Sequence, residues 1–304
     1  RRNYQSSTIH LMNGSLRYRE GLLMVIDTTK PSNIREISHS SCMEEVVDSK
    51  SELILDWHRA MVQVRKKNYT QTMGSYLGFI WLFLDPLIMT LVYLFVFTVI
   101  SYNEAAGIIF IGLGMIRGMQ HSLSAASSPL LVKELNAANS IIRPRTRVTV
   151  ISTHVKLLID TLCMGSGISI VLFGLGASLP GAVAFTLVML MNNLFWHYIG
   201  LCLLNVTTWV PDVHKLVSYF GMGMFFASPV LYTFSRTEGL HREFSQLNPM
   251  TYAIELARKF AGFDSGFSDL PVAGYVTILV CMIFTMIIGI SRLDSLRWSS
   301  STVS

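Results

Sequence analysis

Charge is scarce in this chain, because only 14% of its 304 residues are charged whereas soluble domains carry about 25%. The hydrophobic share is 51% and the mean hydropathy is +0.46. This composition excludes an ordinary soluble domain and predicts an integral membrane protein. The net charge of +5 is small and lies mostly outside the apolar runs, which argues against nucleic acid as a partner.

Several motifs are missing as well. The sequence has no Gly-Lys pair, so a phosphate-binding loop that ends in Lys followed by Ser or Thr cannot form. Any ATP hydrolysis must therefore belong to another protein. The four cysteines and the histidines show no ligand or disulfide spacing. We expect no catalytic residue, no metal site and no cofactor bound by this chain.

Long apolar runs are what the chain does contain. The first run, from Ser75 to Ile100, is long enough to cross a hydrocarbon core of about 30 Å at about 1.5 Å per residue. Five more follow, at Gly107–Val132, Val148–Leu179, Ala182–Val206, Leu216–Phe234 and Val272–Ile290, with a turn predicted at Pro180-Gly181. The sequence thus predicts an all-α fold with six transmembrane helices over residues 73–304.

Basic residues set the expected orientation of these helices. Lys and Arg gather before the first span, between spans two and three, between four and five, and after span six. Both termini are therefore predicted to be cytoplasmic, in a multi-pass membrane protein. The segment between spans five and six is an exception, since it carries four basic residues on the predicted outside: Arg236, Arg242, Arg258 and Lys259.

Two helices outside the spans are also predicted. Ser49-Lys50-Ser51-Glu52 has the pattern of a capping box and indicates an amphipathic cytoplasmic interface helix over 49–72, with Leu53 and Trp57 on its apolar side. Residues 1–48 form a polar N-terminal extension without an assigned function. Asn248-Pro249 indicates a short helix that dips into the outer leaflet or lies on it. That helix is expected to show Glu255, Arg258 and Lys259 to water.

Ionisable residues within the apolar runs are a further signal. They are Asp85, Arg117, Lys156 and Asp160. Arg117 is expected to meet Asp85 or Asp160, and Lys156 lies one helical turn from Asp160. Such groups either hold the bundle or a dimer together or line a water-filled path, and both readings stay open. Gly114 and Gly118 flank Arg117 at a spacing that permits close helix approach.

The order of several short motifs resembles the permease subunits of ATP-binding cassette polysaccharide exporters, which export capsule, O-antigen or teichoic-acid chains. The motifs are Leu77-Gly78-Phe79-Ile80-Trp81, Asp85-Pro86, Asp212 at the start of span five, Ser228-Pro229-Val230-Leu231-Tyr232, and Asn248-Pro249 followed by Arg258. The resemblance extends from Ser49 to the C-terminus.

This resemblance implies an interface helix, six transmembrane helices and short re-entrant helices between spans five and six. It also implies that two copies of the chain pair above two separate ATPase subunits, which bind ATP and Mg²⁺. The substrate would be a lipid-linked polysaccharide that leaves the cytoplasm.

Candidate functional residues follow from these readings. A sugar polymer offers hydroxyls and C–H patches that suit aromatic faces and scattered polar groups, so the candidate substrate path consists of Tyr76, Phe79, Trp81, Asp85, Tyr93, Arg117, Phe225, Phe226 and Tyr232. Candidate ATPase-coupling residues are Glu52, Asp56, Arg59, Lys133 and Glu134, with a short coupling helix predicted to start at Lys133. Candidate outer-gate residues are Asn248, Pro249 and Arg258.

Other functions remain open at this point. The same scaffold is suited to export of a lipo-oligosaccharide or a drug. A membrane-embedded glycan transferase would need an acid, base or metal constellation, and the outer segment offers only Glu255, Asp264 and Asp269. A secondary transporter would use Asp85 and Asp160 as proton carriers, although the sequence has no internal repeat to favour it.

Overall fold

The structure is a computed structural model of the chain. The residues that it describes are 9–11, 14–19, 22–26, 34–37, 49–72, 80–81, 84, 87–88, 91–92, 95, 99, 106–135 and 146–299. Most of the predicted first span therefore lies outside the described residues. The chain divides into two compact units, Arg1–His58 and Arg59–Ser304.

The first unit contains a small antiparallel sheet. Its strands are β1 (Ile9–Leu11), β2 (Gly14–Arg19), β3 (Leu22–Ile26) and β4 (Ile34–Ile37), paired in chain order. Short connections join neighbouring strands, as is usual for antiparallel meanders. The strands lie within the stretch that the sequence analysis assigned to a polar N-terminal extension.

Helix α1, Ser49–Thr72, begins at the predicted capping box and ends where the interface helix was predicted to end. Its buried residues are Asp56, Ala60 and Val64, which lie four apart and so share one face. Leu53 and Trp57, on the predicted apolar side, are 54% and 49% exposed, so the predicted contact of this side with a membrane surface or a partner stays a prediction. Lipid tails are as apolar as a protein core, so hydrophobic spacing alone does not identify the packed side.

The described part of the second unit is helical. Its helices are α2 (Ala106–Ser127), α3 (Pro129–Leu135), α4 (Thr146–Gly174), α5 (Leu179–Trp209), α6 (Asp212–Ala227), α7 (Gly239–Leu247), α8 (Pro249–Ala261) and α9 (Val272–Ser299). Short 3₁₀ turns lie at Phe234–Arg236 and Phe267–Asp269. The helical fold class is thus confirmed for the described residues from Ser49 onward.

Three of the described helices are long and apolar enough to cross a membrane: Thr146–Gly174, Leu179–Trp209 and Val272–Leu293. The count of six spans stays a prediction. Two boundaries were predicted wrongly. Pro180 and Gly181 lie inside the first turn of α5, where Ser178 is the N-cap and proline is tolerated. The fifth span was predicted to reach Phe234, but α6 ends at Ala227.

Two ends of the helical bundle can be recognised from side-chain contacts. At one end, Arg258 of α8 donates to the carbonyl of Ile108 in the first turn of α2. We call this the Arg258 end. At the other end, the Thr207 hydroxyl, near the end of α5, donates to the carbonyl of Ser127, the last residue of α2. We call this the Thr207 end. Helices α2 and α5 therefore run in the same direction through the bundle.

Glycines allow α2 to approach its neighbours closely. A Cβ atom at Gly118 would lie 2.5 Å from Asn193 Oδ1, and one at Gly114 would lie 2.8 Å from Ile168 Cδ1. The prediction that these two glycines permit close helix approach is confirmed. At Gly112 a Cβ atom would lie only 2.4 Å from the carbonyl oxygen of Val230, which is backbone and cannot rotate away.

Gly112→Ala should therefore lower the thermal stability of the purified protein, by about 1–3 kcal/mol for overpacking of a filled interior. Gly223→Ala is the matched control, because a Cβ atom there meets nothing within 4 Å and alanine favours a helix over glycine. Melting in detergent checks both variants. Equal melting temperatures for the two would contradict the packing described for Gly112.

Candidate functional site

Helices α7 and α8 form a pair that reaches into the bundle from the Arg258 end. The Trp196 indole N–H donates to Met250 Sδ over 3.1 Å, next to the start of α8. A Cβ atom at Gly181, in the first turn of α5, would lie 2.9 Å from the carbonyl oxygen of Phe260, near the end of α8. Trp196 follows Gly181 by about four helical turns, or about 22 Å. Helix α8 therefore runs antiparallel to α5, from the middle of α5 back to the Arg258 end.

Asn248 forms the tip of this pair. Its side-chain oxygen accepts the N–H of Met250 over 2.9 Å, which is the predicted N-cap bond of α8. Its amide nitrogen donates to the carbonyl of Ala227 over 3.1 Å and to Ser228 Oγ over 2.8 Å. The end of α6 is thus held at the depth of the tip.

The backbone that follows α6 needs hydrogen-bond partners from elsewhere in the protein. Helix α6 has 16 residues, which span about 24 Å, and the hydrocarbon core is about 30 Å thick. Beyond Ala227 the backbone leaves the helix, and Ser228 is in an extended conformation. Non-helical backbone at membrane depth is tolerated only where protein or a water-filled cavity supplies partners for its N–H and C=O groups.

Arg258 supplies partners for the carbonyls. Its Nη2 donates to Val230 O over 2.9 Å, and its Nη1 donates to Tyr232 O over 2.8 Å. Nε and Nη2 both donate to Ile108 O, over 3.3 and 3.1 Å. The fifth contact joins Nη1 to Glu255 Oε1 over 2.7 Å. Together these contacts match the five N–H groups of a guanidinium.

Glu255 supplies partners for the backbone N–H groups. Its Oε1 accepts the N–H of Phe234 over 2.9 Å, and its Oε2 accepts the N–H of Gly266 over 2.6 Å. Arg258 and Glu255 are both completely buried. A buried ion pair repays the loss of hydration only with good geometry and further hydrogen bonds, and this pair has both.

The predicted exposure of this helix needs a correction. Glu255 and Arg258 were expected to face water, but they point into the bundle, whereas Lys259 is exposed. The cause lies in the tertiary structure. The non-helical backbone on either side of α8 supplies hydrogen-bond partners for Glu255 and Arg258, and an isolated amphipathic helix would lack these partners. The predicted role of Asn248, Pro249 and Arg258 as an outer gate stays a prediction.

An apolar groove of about 820 Å³ lies beside the pair. It follows α6 from Val213 to Ala227, a length of about 21 Å. Apart from His241 and Asn248, its lining consists of apolar and aromatic side chains. They are Leu123, Trp196, Ile199, Leu203, Val213, Leu216, Val217, Phe220, Met224, Ala227, Phe244, Leu247 and Pro249. A surface of this kind is suited to hydrocarbon.

The ionisable residues of the spans meet only in part. Lys156 Nζ donates to Asp160 Oδ1, which confirms the predicted neighbours one turn apart. His121 Nε2 lies 3.9 Å from the other oxygen of Asp160 and joins α2 to α4. The pairing of Arg117 with Asp85 or Asp160 stays a prediction, since Asp85 lies outside the described residues.

The predicted substrate path is described only in part. Tyr76, Phe79, Asp85 and Tyr93 lie outside the described residues. Trp81 and Phe226 are exposed, and the rings of Phe225 and Phe226 meet edge to face with centroids 5.0 Å apart. Tyr232 hydrogen-bonds His241, a residue of the groove. The structure thus brings one predicted path residue to the groove.

The predicted coupling residues lie in two places. In α1, Asp56 is buried, Arg59 is exposed and Glu52 is half-buried. Lys133 and Glu134 lie in the last turn of α3. This helix begins at Pro129, four residues before the predicted start. Proline favours the first position of a helix, and this signal was available in the sequence.

The sequence analysis missed the structural roles of Glu255, Ser228 and His241. A signal existed for one of them, because Glu255 and Arg258 are three residues apart on a helix with an apolar stripe, a spacing at which opposite charges meet. The groove leaves no comparable signal, since its lining comes from five separate helices and the connecting residue Asn248.

The sequence was also compared with known protein families and with curated proteins. Residues 60–261, about two thirds of the chain, match the family model described as ABC-2 type transporter. No curated protein matches the chain.

Arg258→Lys should destabilise the protein strongly even though it keeps the charge, because an ammonium cannot reach four acceptors in one plane. The carbonyls of Val230 and Ile108 would lose their donors, and each buried unsatisfied group costs about 1–3 kcal/mol. Folded yield and melting temperature in detergent measure the effect. Lys259→Arg, at the exposed neighbouring position, is the control. Wild-type stability of Arg258→Lys would contradict the role given to the guanidinium.

Proposed function

The chain belongs to the ABC-2 type transporter family, and from this premise we propose that it is the permease subunit of an ATP-driven exporter of a lipid-linked polysaccharide. Two copies would form the pathway, and two separate ATPase subunits would bind ATP and Mg²⁺ and supply the energy. The complex would lie in the bacterial inner membrane with both termini of this chain in the cytoplasm. The Thr207 end would then face the cytoplasm, and the Arg258 end would face outward.

The observation that carries the proposal is the α7–α8 pair. The motifs that resemble polysaccharide exporters imply short re-entrant helices between spans five and six. Helix α8 reaches the middle of α5 from the Arg258 end, through the contact between Met250 and Trp196. Asn248 and Arg258, two residues of the resemblance, hold this pair in place.

The apolar groove supports the lipid-linked part of the proposal. It runs along α6 and ends beside the tip of the re-entrant pair, where Asn248 and His241 are its polar members. A polymer attached to a lipid has an apolar end that needs such a surface and a polar end that needs hydrogen bonds. We assign the lipid portion to the groove.

Export of a lipo-oligosaccharide or a drug is the alternative on this scaffold. The groove also accepts apolar portions of those substrates, so a comparison of substrates has to decide between them. Among the described residues, no group of three His, Cys, Asp or Glu side chains is placed to hold a metal ion. A glycan transferase therefore gains no support from these residues.

Co-purification tests the proposed function. The solubilised protein is purified with the ATPase that is encoded beside it, and ATP hydrolysis is measured with and without this chain. A complex of two copies of each, stimulated by lipid-linked glycan, is the expected result. Stimulation by a lipo-oligosaccharide or a drug but not by the glycan would favour the alternative substrates, and the lack of any ATPase partner would overturn the proposal.

Narrowing the groove should weaken the response to the substrate. In the purified complex, Leu216→Trp is expected to reduce stimulation of ATP hydrolysis by lipid-linked glycan several-fold, because the larger ring takes space that the lipid portion needs. Met222→Trp is the matched control on the same helix. Leu216 lines the groove and is 62% exposed, whereas Met222 is 60% exposed and is not among the lining residues. Equal stimulation in both variants would remove the groove from the substrate site.

A further inference from the structure

The Thr207 end contains a break between helices α2 and α3. Helix α2 ends at Ser127 and α3 begins at Pro129, which has no backbone N–H to continue the first helix. The N–H of Leu131 donates to the carbonyl of Ser128 over 3.0 Å, three residues back. A continuous α-helix would direct that N–H to the carbonyl of Ser127. The break therefore leaves the Ser127 carbonyl to another donor.

The donor is the hydroxyl of Thr207. Its Oγ1 lies 2.8 Å from the carbonyl oxygen of Ser127 and 3.0 Å from that of Leu204 in its own helix, so one proton is shared between the two. Thr207 and Ser127 are both completely buried. The end of α5 is thus tied to the break by a bond that water does not reach.

A second contact joins the same break to α6. Ser127 Oγ lies 3.3 Å from His214 Nδ1, in the first turn of α6. His214 is half-buried, and its ring either donates to the hydroxyl or accepts from it. Ser127 therefore contacts α5 through its carbonyl and α6 through its side chain.

Helix α3 is packed firmly against the bundle next to this break. Its buried residues Leu131 and Val132 belong to an apolar cluster with Leu204 of α5 and with Leu293 and Leu296 of α9. A displacement of α3 therefore presses directly on α5 and α9. Lys133 and Glu134, two of the predicted coupling residues, lie in the last turn of α3, so a force on them would act on this helix.

We infer that Ser127, Thr207 and His214 form a joint through which movement of α3 is passed to α5 and α6. The inference rests on the proposed function, because the force would come from the ATPase subunits. The three side chains act as positioning residues: they contact neither ATP nor substrate, and they fix the angle between α3 and two helices that line the groove. Helix α6 then carries the movement toward its far end, where Asn248 holds it to the re-entrant pair.

Thr207→Val tests the joint, because it keeps the shape of the side chain and removes the hydroxyl. The readout is the amount of lipid-linked glycan transported per ATP hydrolysed, in the complex of permease and ATPase reconstituted in vesicles. We expect assembly and ATP hydrolysis close to the wild type, with several-fold less transport per ATP. A purely structural role would instead reduce assembly and hydrolysis together.

Thr208→Val is the matched control. Thr208 Oγ1 donates over 2.6 Å to the carbonyl of Leu204, so this variant loses a hydroxyl and a bond within α5 but no contact with Ser127. This variant should transport as much lipid-linked glycan per ATP hydrolysed as the wild type. We call the amount of glycan transported per ATP hydrolysed the coupling ratio. Equal coupling ratios in Thr207→Val and Thr208→Val would overturn the joint. The proposed function would still be supported by the wild-type complex.

A second variant covers the case in which Thr207→Val does not assemble. Pro129→Ala restores a backbone N–H and lets α2 continue into α3, which returns the Ser127 carbonyl to a bond within the helix. This change leaves Thr207 intact and should lower the coupling ratio in the same way, whereas a wild-type ratio would overturn the inference. A wild-type chain that binds no ATPase would overturn both the proposed function and the joint.

Discussion

The structure depends on one constraint, which is that backbone polar groups inside a membrane must find partners within the protein. Helix α6 stops at Ala227 after 16 residues, fewer than the about 20 that a membrane-spanning helix needs, and Ser228 is already in an extended conformation. Arg258 and Glu255 meet this requirement from a neighbouring helix, one through its N–H groups and the other through its carboxylate oxygens. Both are fully buried, so their charges are stabilised mainly by each other and by the backbone that they satisfy.

This constraint connects the parts of the functional proposal. Because Arg258 binds the first turn of α2 as well as the chain beyond α6, it fixes the α7–α8 pair against both. Asn248 then sets the depth at which α6 ends, and the groove extends along α6 up to that point. At the other end of the bundle, Ser127 satisfies the same rule at a second helix break with the help of Thr207. Both breaks are places where neighbouring helices exchange hydrogen bonds and hence influence each other.

Much of the fold could be predicted from the sequence. The start of α1 followed from its capping box, and α4, α5 and α9 followed from long apolar runs. The end of α6 could not be located in this way, because Val230, Leu231 and Phe234 continue the apolar run after the helix has stopped. An apolar run predicts that its residues avoid water, but it does not predict whether their backbone is helical. Similarly, Arg258 was placed correctly on a short helix but on the wrong side of it, since its partners are carbonyls that no sequence pattern displays.

The most direct test of this account is cross-linking between the tip of the re-entrant pair and the middle of α5, in a chain whose native cysteines are replaced by serine. Cysteines at Trp196 and Met250 should be joined by a short thiol-reactive cross-linker in membranes, because these side chains are in contact in the structure. Cysteines at Trp196 and Ala261 should not be joined, because the end of α8 lies beside the first turn of α5. The reverse result, or cross-linking of neither pair, would contradict a re-entrant α8.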